Sequence, residues 1–201
     1  MHEGLWEKLV TLDPEVTARR TKCKYMSASG YYEVVLLGCE YVVDPAERRI
    51  YPTANAQQGQ EAGFLEQLCI LAYLINVREV PVANKLVAAE QLEGGQFFFR
   101  GPHELPTAAL VEAFGDDPAL LDRAGEQLGA KACEYGGASI ELSVLPRFGL
   151  TFIIWGRDEE FGGRASILFD QSADQQLPLD AIGAAVNLAV KAVITSLEKG
   201  S

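Results

Sequence analysis

Asp158, Glu159 and Glu160 form the densest run of potential ligand oxygens in the chain, in a turn that follows Trp155. Hard divalent cations prefer carboxylate and carbonyl oxygens, so these acids are the candidate metal site. With His103 as an outside candidate base, they would be the centre of a metal-dependent, hydrolase-like enzyme. The competing reading is a solvated turn whose charges are screened by Arg157 and Arg164, and it needs no special geometry. We prefer the turn. Asp170 ends the next apolar run, at the far end of the hairpin that these two runs would form, so it does not join the three acids.

The remaining chemistry-bearing residues are sparse. His2 is terminal, and His103 stands in the loop Arg100-Gly101-Pro102-His103-Glu104 with no serine or cysteine motif to activate. The four cysteines, Cys23, Cys39, Cys69 and Cys133, share no C-x-x-C spacing and read as free thiols in a reducing compartment. Arg19, Arg20, Lys22 and Lys24 surround Cys23. Such a cluster could hold an anion and depress the thiol pKa. A solvated helix end, whose dipole welcomes cations, is the simpler account. Gly94-Gly95 and Gly136-Gly137 match no phosphate-loop spacing and read as turns. Nothing here names a cofactor.

Aromatic residues supply the candidate ligand contacts: Trp155, the pair Tyr31-Tyr32, and Phe97-Phe98-Phe99 near His103. Three consecutive rings cannot share one face of a strand, so either both faces are covered or one ring lines a pocket. Core packing is the plainer alternative.

The elements that must position these residues follow from periodicity and punctuation. A short helix is expected over 5–10, and Asp13-Pro14 opens another that runs to 21. After a turn at 27–30, β-rich runs at 31–37, 40–43 and around Ile50 predict an antiparallel meander with a turn at Asp44-Pro45. Residues 53–63 read as a polar loop. The segment 64–77 is apolar nearly all round, which marks a buried helix with Cys69 as packing. One short strand is expected near 86–89, and a helical hairpin over 106–114 and 118–128. Strands through 139–155 and 165–169 precede a last helix over 178–197, whose stripe includes Leu179, Ile182, Val186 and Val193.

With 201 residues, 48% hydrophobic and 22% charged, the chain suits one soluble domain. A net charge of -11 disfavours nucleic acid and anionic membrane as partners, since both are polyanions. The start shows no cationic, apolar signal pattern, and the uninterrupted apolar run 68–75 is short for a membrane span. A cytoplasmic location is expected.

Several segments in order along the chain resemble the family known as domain of unknown function 3786, from anaerobic bacteria and archaea. They are LLGCEYVVDP (36–45), EQLEGGQFFFRGPHELP (90–106), LPRFGLTFIIWGRDEEF (145–161), ILFDQS (167–172) and QLPLDAI (176–182). The resemblance implies no assigned reaction, although some relatives look linked to iron–sulfur modules. Gly162-Gly163 stands where proline is more usual, and cysteines at cluster-ligand spacing are absent.

The expected fold is α+β: antiparallel sheet or sheets packed against a buried central helix and a C-terminal helix, in a single domain spanning 1–201. The expected function is a non-catalytic accessory protein that binds a small molecule or a partner protein. A metal-dependent enzyme is the alternative, and a redox or iron–sulfur role a minor one.

Overall fold

The computed structural model describes residues 2–54 and 60–198. The expected polar loop over 53–63 therefore lies partly outside the described residues. The order of elements is α1 (Glu3–Leu9), α2 (Pro14–Thr21), β1 (Lys24–Met26), β2 (Tyr31–Leu36), β3 (Cys39–Asp44), β4 (Arg49–Pro52), α3 (Phe64–Asn76) and β5 (Leu86–Val87). Then follow α4 (Gly95–Phe98), α5 (Thr107–Phe114), α6 (Ala119–Gln127), β6 (Lys131–Cys133), β7 (Ala138–Leu145), β8 (Phe148–Trp155), β9 (Arg164–Asp170) and α7 (Leu179–Glu198). This is the expected α+β domain.

The strands form two separate antiparallel sheets. One is the meander β1-β2-β3-β4, and the other has the order β5-β9-β8-β7-β6. Alternation in β2 sends Tyr32, Val34 and Leu36 into the core and leaves Tyr31, Glu33 and Val35 on the outer face. At the far end of the hairpin, Asp44 accepts from the N–H groups of Ala46 and Glu47 and fixes the turn. The sheets meet where Leu37 N–H donates to Val144 O at 2.9 Å.

Helix α3, buried from Cys69 to Leu74, packs against α7, α1, α2 and β2 of the meander. Its neighbour α7 presents Ala181, Ala185 and Ala189, small enough for close approach, and the Cys69 thiol donates to Ala181 O at 3.6 Å. By length and composition α7 would pass for a membrane span, with mean hydropathy 1.4 over Leu179–Leu197, but half of that window is buried inside the protein.

Some expectations are corrected. The Phe97 run is not a strand. It lies in and just after the short helix α4, started by Gly94 at φ 76°. A Cβ on Gly95 would sit 1.9 Å from Ala89 O, so only glycine permits this approach. The sequence pattern carries no signal for the three-residue edge strands β1 and β6. Pro118 is the N-cap residue of α6 rather than its first turn, with Asp117 Oδ1 accepting from Ala119 N–H.

Arg20 corrects the reading of the basic cluster. Its guanidinium reaches across to α3 and donates to Leu74 O at 2.6 Å, Ile75 O at 3.0 Å and Val77 O at 2.7 Å. It caps the end of another helix, where carbonyls lack partners and the dipole is negative. Arg20→Met should lower stability by about 2–4 kcal/mol in urea unfolding, because charge-assisted bonds to part-buried acceptors are lost together. A loss under about 0.5 kcal/mol, typical of a surface site, would contradict the cap.

Candidate functional site

The expected site residues do not converge. Tyr32 is 2% exposed, with its ring 5.1 Å from that of Tyr25. Tyr31 is on the opposite face, where the carboxylate of Asp44 and a hydrogen bond to it push the phenol up. Trp155 closes β8 with the Arg164 guanidinium 4.1 Å above its ring. Phe98 stacks on His103 at 4.7 Å and meets Phe99 edge-on at 5.1 Å, whereas Phe97 is 75% exposed. Phe99 is packed, 6.3 Å from Phe169, and one side of it lines a recess of about 210 Å3 beside β9.

The acids form a turn. Asp158 Oδ1 accepts from Glu160 N–H at 2.9 Å and Phe161 N–H at 2.6 Å. Glu159 and Glu160 are exposed. Among the described residues, no group of three or more His, Cys, Asp or Glu side chains is placed to hold a metal ion. The arginines expected to screen the acids are engaged elsewhere, Arg157 on Asp116 at 2.9 Å and Arg164 on Trp155. Nor is Cys23 activated: burial raises its pKa, with only a partial offset from the hydrogen bond to Thr21.

A cleft that sequence reasoning missed lies between the β2–β3 hairpin of the meander and helices α6 and α7. It measures about 380 Å3 and is walled by the β2–β3 hairpin, the C-terminal half of α7, the end of α6 and Glu66 of α3. Because Leu36 pairs with Cys39, alternation brings Leu36, Cys39 and Tyr41 to the inner face of the hairpin. On α7, Leu188, Lys191, Ala192 and Thr195 recur at helical spacing and line one wall. Leu128 closes the end.

The hairpin tip is unusual. Leu37 and Gly38 have φ 50° and 75°, the two left-handed positions of a tight two-residue turn, and the first normally favours Asn or Asp. Leucine in this conformation costs about 1 kcal/mol or more. Its side chain is partly buried on the cleft wall, which offsets that strain with packing.

Polar groups at the cleft are Cys39, Tyr41, Glu66, Gln127, Lys191, Thr195 and Ser196. Among the described residues, neither Cys39 nor Lys191 has a side-chain hydrogen bond or ion pair that would assemble a relay. Burial, followed by the charges of Glu66 and Cys39, pushes Tyr41 up to about 12. Chemically, this is an apolar wall with polar groups spaced around it.

Its architecture defines a two-sheet α+β domain with a cleft between the meander and helices α6 and α7. The sequence profile described as Domain of unknown function (DUF3786) matches residues 13–192, and the chain belongs to that family. No curated protein and no solved structure is detectably similar to it.

The Tyr41 phenol sets a pH dependence. Its folded pKa of about 12 lies above the ordinary 10.0, so the contribution is complete below pH 10 and is lost as pH rises towards 12. Urea unfolding at pH 8, 10 and 11.5 should show falling stability, and Tyr41→Phe should make the fall shallower. An unchanged slope in that variant would refute the assignment.

Proposed function

We propose that this protein is a non-catalytic accessory protein that binds a small, predominantly apolar molecule in the cleft between its β2–β3 hairpin and helix α7. The observation that carries the reading is Leu37: a left-handed leucine is held where a polar turn former would fit better, and its side chain builds the cleft wall. Strain of this kind is retained where it serves a site. The volume of about 380 Å3 is in the range of small-molecule pockets, and leucines alternate with a few polar groups in the way such pockets fix orientation. A cytoplasmic setting suits four free cysteines, and the net charge of -11 argues against nucleic acid or an anionic membrane as the partner.

Two variants separate the turn from the ligand. Leu37→Asn fits the backbone, so stability should stay within about 1 kcal/mol of wild type. Ala192→Trp fills the cleft from α7. Both should weaken binding of the apolar dye anilinonaphthalene sulfonate at least fivefold, and native mass spectrometry of protein from its own host should show a bound small molecule. Folded variants that bind the dye as wild type does, together with a ligand-free native mass, would overturn the proposal.

A further inference from the structure

The two sheets have four edges, and three of them are short and carry features that discourage a further strand. In the meander, β1 has three residues with Lys24 on it, and β4 has four residues with Arg49 and a terminal Pro52. In the other sheet, β6 has three residues and begins with Lys131. Short length, lysine and proline are the usual devices against edge pairing.

The fourth edge differs. β9 is seven residues long and pairs with β8 from Arg164 to Phe169. On its outer side, β5 pairs only with Phe169 and Asp170. Over 164–168 the outward edge has no backbone partner among the described residues. In an antiparallel strand, alternate residues direct both N–H and C=O away from the neighbour they already pair with, so this stretch presents a ready ladder. Its one charged residue, Arg164, is engaged over Trp155.

Space lies beside that ladder. The recess of about 210 Å3 is bounded by Ala165 to Leu168 on one side and by Ala89, Phe99, Leu105 and Thr107 around it, and Glu90 and Glu104 supply its charge. Both acids are exposed and neither forms a salt bridge among the described residues. A second copy of the chain would bring the same acids and another net charge of -11 against this edge. A basic strand would meet complementary charge.

We infer that the open edge of β9 is a docking site for an extended, basic segment of a partner protein. The segment adds a strand in line with β5, places small apolar side chains over the recess, and sets Lys or Arg opposite Glu90 and Glu104. Main-chain bonds supply affinity in this mode of recognition, and the alternate side chains supply selectivity.

The test is to pan random ten-residue peptides displayed on phage against the folded protein, then to titrate the enriched sequences as synthetic peptides. Enriched peptides should alternate small apolar residues with Lys or Arg and should slow hydrogen exchange at alternate amides within 164–168. Ser166→Lys, which blunts the edge, should weaken them at least tenfold, with β8 amide protection reporting that the fold is kept. If that variant does not fold, the surface pair Glu90→Lys and Glu104→Lys should produce the same loss. Leu37→Asn, in the separate cleft, should leave peptide binding unchanged, so failure here is distinct from failure of the cleft. The inference is overturned if no peptide is enriched, or if binding protects amides elsewhere and ignores these substitutions. A wild-type dimer in sedimentation that Ser166→Lys dissolves would also overturn it, by assigning the edge to a second copy.

Discussion

A helix buried along its length still has to end somewhere, and its last carbonyls need partners there. In this protein the need is met at Arg20, whose guanidinium takes three carbonyls at the end of α3 while burial works against its charge. The backbone around it is tied in as well. Arg20 O accepts from Arg147 Nε at 2.8 Å, and Thr21 O accepts from the Tyr73 hydroxyl at 2.8 Å. One short stretch of α2 thus joins α3 to the β7–β8 turn. With α3 fixed, α7 can pack along it, and the cleft takes two of its walls from these helices.

Much of the fold is legible in the sequence where the pattern is long or strongly punctuated. The apolar run of α3, the stripe of α7, the Asp13-Pro14 start of α2 and the β8–β9 hairpin all follow from local chemistry. The strands β1 and β6 do not, because three residues carry too little periodicity and their state is decided by the strand beside them. The Phe97 run misleads for a different reason. Aromatic residues favour strands, but Gly94 and Gly95 allow a helical turn to pack against Ala89, and that tertiary contact prevails.

The candidate site is less legible, since its walls come from β2–β3, α3, α6 and α7, which only the fold brings together. Leu36, Leu128 and Leu188 read individually as ordinary core. The one local signal is Leu37-Gly38: two β-rich runs separated by a tight turn, with leucine where Asn or Asp is expected. Conversely, the residues that advertise chemistry by type are spent on structure. Asp158 caps its own turn, His103 stacks on Phe98, and Cys69 fills the α3–α7 contact.

The two sheets also differ in how far along the chain their partners lie. The meander pairs each strand with the next, so its hairpins close short loops at small entropic cost. In the other sheet, Leu86 and Val87 of β5 must find Asp170 and Phe169 of β9 across the whole stretch that contains α4 to α6 and three strands. Contacts between distant segments are the slow ones in folding. The meander can therefore form early, while β5 waits for the strand it will cover. On a growing chain, β5 is made well before β9 and has no strand to pair with until the last third of the chain follows.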